Sequence, residues 1–222
     1  MFAGLTEETY RFFWDVAFHN DIGWFEENRD RYKAAVQRPL QALAAELAPT
    51  VRSIDERLNV RPAAVVSRIR RDTRYTKDKS PYRDHAWLGY KLPGSYVSES
   101  FVLYCEFERD HYGYGMGMYA PEPTMMAAIR ERILARPQKF LSLVGEPSFA
   151  GAFAMEGEPY RRKKFTDVPE ALSPYLNMRS LSFCFRSDRL ENTLKPELLE
   201  EIRTAFTMMA PVYRFLMGLT DA

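Results

Sequence analysis

The chain has 222 residues, of which 46% are apolar and 27% charged, with a formal net charge of +1. A globule of this length buries roughly 70% of the surface its unfolded chain exposes, so it needs neither disulfide nor metal to hold a core. The total charge says little, but positive charge is concentrated in two blocks, unlike a general nucleic-acid-coating protein. No apolar run reaches the ~18 residues of a membrane span, and Met1 to Glu8 lack the basic-then-apolar order of a secretory leader. A cytoplasmic protein with no membrane partner, folded as a single domain over 1–222, is the expectation.

The first sixty residues read as helical. Thr6 is a good N-cap with Leu5 and Tyr10 placed as a hydrophobic staple, and Tyr10, Phe13, Trp14, Ala17 and Phe18 recur at helical spacing. Asn20-Asp21 breaks that helix and starts another, in which Trp24, Phe25, Asn28 and Tyr32 share a face. Half-buried Asn28 must find partners, in a neighbouring loop or in a pocket. Pro39 kinks this helix or begins a new one, whose apolar face Leu40, Leu43, Ala44 and Leu47 runs to Pro49.

Strands follow. Ala63 to Ile69 is β-branched and alternating, Ala86 to Leu92 is a second run closed by Pro93-Gly94, and residues 100–108 alternate cleanly. In that third run Phe101, Leu103, Cys105 and Phe107 share one face, and Val102, Tyr104, Glu106 and Glu108 the other. Tyr112 to Met118 is a fourth, and the short connections demand antiparallel pairing. Helical spacing returns from Pro121 to Arg136 and from Gln138 to Val144. Residues 145–178 read as irregular, with a helical turn after Pro169. Leu181, Phe183 and Phe185 mark a last strand, and a long helix from about Pro196, with a kink expected at Pro211, ends the chain. The order predicts an α+β fold: a mainly antiparallel sheet packed against N-terminal and C-terminal helices.

Chemistry concentrates between Arg68 and Asp84. Seven cations (Arg68, Arg70, Arg71, Arg74, Lys77, Lys79, Arg83) face three anions (Asp72, Asp78, Asp84), a local net of +4. Arg161 to Lys164 add another +4, leaving −7 for the remainder. On an extended segment Arg68, Arg70, Asp72 and Arg74 project together, and one carboxylate cannot neutralise three guanidinium forks. Three outcomes satisfy them: a bound anion, a structural network with Glu106, Glu108 or helix carboxylates, or a solvated edge. In the first, Tyr75, Tyr82, Lys77, Lys79 and Arg83 complete a site for a phosphorylated or otherwise anionic small molecule. Nucleic-acid phosphates are the alternative ligand, and a non-enzymatic interaction protein is the alternative role. Any catalysis would use Asp72 or His85 as proton acceptor, with the arginines stabilising developing negative charge.

Other patterns exclude more than they assign. Gly113-x-Gly-x-Gly117 leaves one strand face without side chains, fit for close packing against a helix or an aromatic ring, and Met118 replaces the third glycine of a dinucleotide fingerprint. His19, His85 and His111 have no metal-ligand spacing, so no metal is expected and no cofactor can be assigned. Cys105 and Cys184 read as buried thiols rather than a disulfide.

The chain resembles the domain of unknown function 2461 family over nearly its whole length. The matching residues are Arg68-Ile-Arg-Arg-Asp-Thr-Arg-Tyr75, Lys77-Asp-Lys-Ser-Pro-Tyr-Arg83, Asn20 with Trp24-Phe25, Asn28 and Tyr32, Gly113 to Pro121 with Ile129-Arg130, and Tyr160 to Pro169. Tyr75 stands where Phe is usual and Arg83 where Lys is usual. The resemblance implies a soluble, single-domain, mostly bacterial protein, and supplies no activity.

Overall fold

The computed structural model describes residues 1–74 and 77–219. Helix α1 (Glu7–Phe18) starts at Thr6, whose amide donates to the Thr9 hydroxyl at 3.2 Å. Its buried arc is Tyr10, Phe12, Phe13 and Val16, whereas Trp14 and Phe18 are 45% and 78% exposed. The stripe is thus turned from the expected one. Asp15 holds Arg31 at 2.7 Å, and the Arg109 guanidinium covers Trp14 at 4.8 Å, so that side faces outward.

Asp21 caps α2 (Ile22–Glu27) by accepting from the Trp24 amide at 2.9 Å. The helix breaks at Asn28, which donates to the Trp24 carbonyl at 2.9 Å and so answers its own helix end. Then come α3 (Arg29–Tyr32), a π-helical turn (Lys33–Gln37) and α4 (Arg38–Ile54). The backbone stays helical from the π-helical turn into α4, so Pro39 lies within a continuous helix, and the Ala35 carbonyl four residues back accepts from the Thr9 hydroxyl at 2.6 Å. The helix runs past Pro49, its expected end, because buried Val51 and Ile54 extend the same apolar face.

The strand expected over Ala63 to Ile69 is not formed. Pro62, with its helical φ preset, opens the short helix α5 (Pro62–Val65), and the Arg61 carbonyl accepts from Ala64 and Val65 at 2.8 and 3.1 Å. Only from Val66 does the chain extend, bridging Leu88, then Tyr82 from Arg70. Arg83 and Arg71 donate backbone bonds to Ile69 and Pro81, both 2.8 Å. This interrupted ladder lies against the outer edge of the sheet.

Five strands form that sheet: β1 (Ala86–Tyr90), β2 (Val102–Phe107), β3 (Tyr112–Gly117), β4 (Ala154–Glu156) and β5 (Ser182–Ser187). The order is β1-β2-β3-β5-β4 and every pairing is antiparallel. Between β3 and β4 run α6 (Pro123–Ala135), α7 (Pro137–Val144) and α8 (Pro147–Ala152); between β4 and β5 lies α9 (Ser173–Leu176). Both α8 and β4 fall in the stretch read as irregular.

Alternation gives the sheet two characters. Leu88, Tyr90, Leu103, Cys105, Phe107, Tyr114 and Met116 are buried on the inner face. They pack toward α4 and α10 (Leu198–Met217), whose Ile202, Phe206, Met209, Tyr213 and Leu216 are buried as expected. Gly218 ends α10 in the left-handed conformation, φ 67°. The outer face carries Trp87, Gly89, Tyr104, Glu106, the β3 glycines, Cys184 and Arg186, and is left open as a groove. Among the described residues no helix is long and apolar enough to cross a membrane.

Candidate functional site

The basic stretch is a loop clamped from inside. Asn20 exchanges two 2.9 Å bonds with the Tyr82 backbone, and the Phe25 and Tyr82 rings stack at 4.1 Å. Arg74 grips Asp72 through a fork of 2.9 and 2.7 Å. Arg71 pairs with Asp78, and Lys79 donates to the Thr73 carbonyl at 2.8 Å. Arg83 donates to the carbonyls of Arg68 and Arg70 at 2.8 and 2.7 Å, while its guanidinium lies 5.0 Å over the Trp87 ring.

Two arginines are left to do something else. Neither Arg68 nor Arg70 ion-pairs with a carboxylate or hydrogen-bonds through its side chain among the described residues, and both are exposed. They line a cleft of about 380 Å³ between the loop and the helices α2, α3 and α4. Arg29 lines it too, held to Glu26 at 2.8 Å over the Phe25 ring. Phe25, Tyr32, Ile69 and Tyr82 give the cleft an aromatic and aliphatic wall. Three guanidinium groups against the single carboxylate of Glu26 leave the lining at +2. Glu26 is lowered, first by its bond to Arg29 and also by the charge of Arg70.

The candidate residues therefore separate. Arg68, Arg70 and Tyr82 border the cleft; Asp72, Arg74, Lys77 and Lys79 do not, and Arg83 sits behind it bracing the backbone. Tyr75 lies outside the described residues. The Arg74 fork holds the Asp72 carboxyl down at about 2, and the Ser80 bonds followed by Arg71 do the same for Asp78. A carboxylate this weakly basic makes a poor proton acceptor. Burial, then the charge of Arg71, lowers the Arg83 guanidinium from its ordinary value. The network expected with Glu106 or Glu108 is instead formed by Asp72, Asp78 and loop carbonyls. Arg161 to Lys164 are exposed, with Lys164 4.2 Å over the Tyr160 ring.

His85 belongs to a different place. Its Nδ1 lies 3.2 Å from Asp84 and 3.7 Å from Glu108, and it borders the groove of about 940 Å³ on the open sheet face. Burial raises the Glu108 carboxyl against the opposing pull of His85. Arg186 is shared between Glu106 at 3.4 Å and Glu156 at 3.5 Å, and Arg179 holds Glu158 at 2.8 Å. Beneath these groups the β3 glycines make room for their neighbours' side chains, Glu106 over Gly113 and Tyr104 over Gly115. At Gly115 an added Cβ would stand 2.9 Å from the Tyr104 hydroxyl and 2.9 Å from Cys184. Of the two neighbours expected there, a helix or an aromatic ring, the ring is the one found: Tyr104 crosses the floor together with side chains of β5. Alternation places Tyr104, Glu106 and Glu108 on one strand face opposite the core, and that is the signal the sequence offers. It does not join them to Glu156, whose strand β4 is only three residues long.

A family model described as conserved hypothetical protein (DUF2461) matches residues 8–215 of the chain. No curated protein matches it.

Proposed function

Since the chain belongs to the DUF2461 family of conserved hypothetical proteins, a description naming no activity, we propose a function from the site itself: binding of a small phosphorylated or otherwise anionic molecule in the Arg68–Arg70 cleft. One observation carries this. Two guanidinium groups without a carboxylate partner among the described residues border a cleft of about 380 Å³, within the few-hundred-Å³ range of small-ligand sites. Each fork matches a phosphate or carboxylate edge, and the Phe25–Tyr82 wall suits the apolar part of such a ligand. Arg71, Arg74, Lys79 and Arg83 hold the loop that presents these two, so the basic stretch divides into a scaffold and a binding pair.

Thermal unfolding against inorganic phosphate, sugar phosphates and nucleoside monophosphates tests the reading. Ligand at 100 times its Kd stabilises by about 2.7 kcal/mol, a readable rise in Tm. Arg70→Met should leave the unliganded Tm within a degree or two and abolish the rise. No protection by any of these probes at millimolar concentration would reject the proposal. A large loss of unliganded Tm in the variant would mark Arg70 as structural instead. Short oligonucleotides form the alternative arm: affinity falling steeply with salt would favour a nucleic-acid backbone as the source of phosphate.

A further inference from the structure

The basic cleft holds neutral polar groups as well as cations. Its loop side supplies Arg68 and Arg70; its helix side supplies Tyr32 from α3, Gln37 from the π-helical turn and Gln41 from α4. Both glutamines are half-buried at the cleft, and neither carboxamide hydrogen-bonds to another group among the described residues.

Two phenols stand in the same condition. Tyr32 and Tyr82 are 8% and 4% exposed, both border the cleft, and neither hydroxyl has a hydrogen-bond partner among the described residues. No fully buried side-chain oxygen or nitrogen among those residues lacks a partner, so both hydroxyls keep contact with solvent, and the cleft is the opening that both residues line. Burial pushes the Tyr32 phenol up to about 12, which keeps it a neutral hydroxyl able to donate and to accept. A nearly buried hydroxyl that the protein leaves unanswered needs a partner from outside it.

Ring faces, by contrast, are closed. Phe25 is 3% exposed, stacks on Tyr82 at 4.1 Å and packs on Tyr32 at 5.6 Å, with the Arg29 guanidinium 5.5 Å over it. With all three rings set this deep, no aromatic face stands open for a nucleobase to stack on. The cleft's volume of about 380 Å³ also lies near the low end of the roughly 300–1,000 Å³ of small-molecule sites, room for one ring and its phosphate.

Resting on the anion-binding reading of Arg68 and Arg70, we infer that the ligand is a phosphorylated polyhydroxyl compound, a sugar or polyol phosphate, rather than a nucleotide. Its phosphate takes the two arginine forks, and its hydroxyl groups answer Tyr32, Tyr82, Gln37 and Gln41. Phenols and carboxamides both donate and accept, which matches the double character of a ligand hydroxyl. A site built to bond hydroxyl groups discriminates against the analogue lacking them, because its own polar groups are then left unpaired.

The test is two-dimensional NMR of the full chain titrated with glucose 6-phosphate, mannose 6-phosphate, ribose 5-phosphate and glycerol 3-phosphate, against ethyl phosphate and adenosine monophosphate. At least one of the four should bind tenfold or more tighter than both comparisons. Gln37→Ala with Gln41→Ala should erase that margin and leave ethyl phosphate unchanged, whereas Arg70→Met should weaken every phosphate alike. Tyr32→Phe, which keeps the ring packing, should narrow the margin, and the amide spectra report whether each variant is folded. Ethyl phosphate binding as tightly as all four, adenosine monophosphate binding tightest, or a margin that survives in the folded carboxamide variant would overturn this inference and leave the anion site standing. Binding of none of these phosphates would overturn both.

Discussion

Asn20 treats Tyr82 as a neighbouring strand would. Its amide donates to the Tyr82 carbonyl and its carbonyl accepts the Tyr82 N–H, both at 2.9 Å, so one side chain ties the end of the basic loop to the α1–α2 junction. Tyr82 is 4% exposed, and its backbone groups have this carboxamide in place of water. Replacement of Asn20 by Ala should cost about 1–3 kcal/mol, the range for stranding buried polar groups. Amide exchange at residues 81–83 should accelerate with it. Asn20→Asp keeps the acceptor and loses the donor, so its cost should be at least as great near neutral pH. An unchanged melting temperature in both variants would mean that the clasp is dispensable.

Acid should loosen the loop from its own carboxylates. Asp72 and Asp78 both titrate near 2 in the folded chain, held down by the Arg74 fork and by the Ser80 and Arg71 bonds respectively. A carboxyl lowered below its unfolded value of roughly 3.9 contributes in full above that pH. The contribution is lost as pH falls through about 2. Carbon-detected NMR should therefore give midpoints for these two side chains well below those of ordinary aspartates. Midpoints near 4 would show that the internal pairs are not populated in solution.

Local sequence carries much of the fold. Phe101, Leu103, Cys105 and Phe107 alternate into the core, and Ile202, Phe206, Met209 and Tyr213 face it at helical spacing. Each of these patterns repeats over several residues and reports one face. What escapes is set by neighbours distant in sequence. Ala63 to Ile69 carries the composition of a strand, yet Pro62 fixes a helical turn before pairing with Trp87 and Leu88 can begin. The π-helical turn at Lys33–Gln37 leaves no mark in the spacing. Likewise the sum of charges from Arg68 to Asp84 is legible, but not which arginines are spent on Asp72, Asp78 and loop carbonyls.

Gly115 gives that point a test. An alanine Cβ there would stand 2.5 Å from the Phe183 carbonyl oxygen and 2.9 Å from both the Cys184 Cβ and the Tyr104 hydroxyl. The nearest contact is backbone, so the strands must part rather than a side chain swing away. Gly115→Ala should destabilise by about 1–3 kcal/mol, the usual cost of overpacking. By contrast Gly151→Ala, with nothing within 4 Å of the added carbon, should be neutral or slightly stabilising through its helix propensity. Equal melting temperatures for the two variants would contradict the close β3–β5 packing.

At the far end of the helical layer, Asp55 joins α4 to α10. Its carboxylate accepts a fork from Arg57, both bonds 2.8 Å, and the Tyr213 hydroxyl at 3.1 Å, while the residue is only 5% exposed. Burial alone would raise this carboxyl, but the Arg57 and Tyr213 bonds prevail and leave it lowered. Its stabilising effect is therefore complete above the unfolded aspartate value and fades as pH falls below it. Asp55→Ala strands the fully buried Tyr213 hydroxyl, while the half-exposed Arg57 turns to water, and should cost about 1–3 kcal/mol. Tyr213→Phe removes one bond and leaves the fork in place, so roughly 1 kcal/mol is expected. In chemical denaturation the double variant should lose less than the sum of the two, because the plain phenyl ring has no hydroxyl to strand once Asp55 is gone. Strict additivity would show that Asp55 and Tyr213 do not depend on one another.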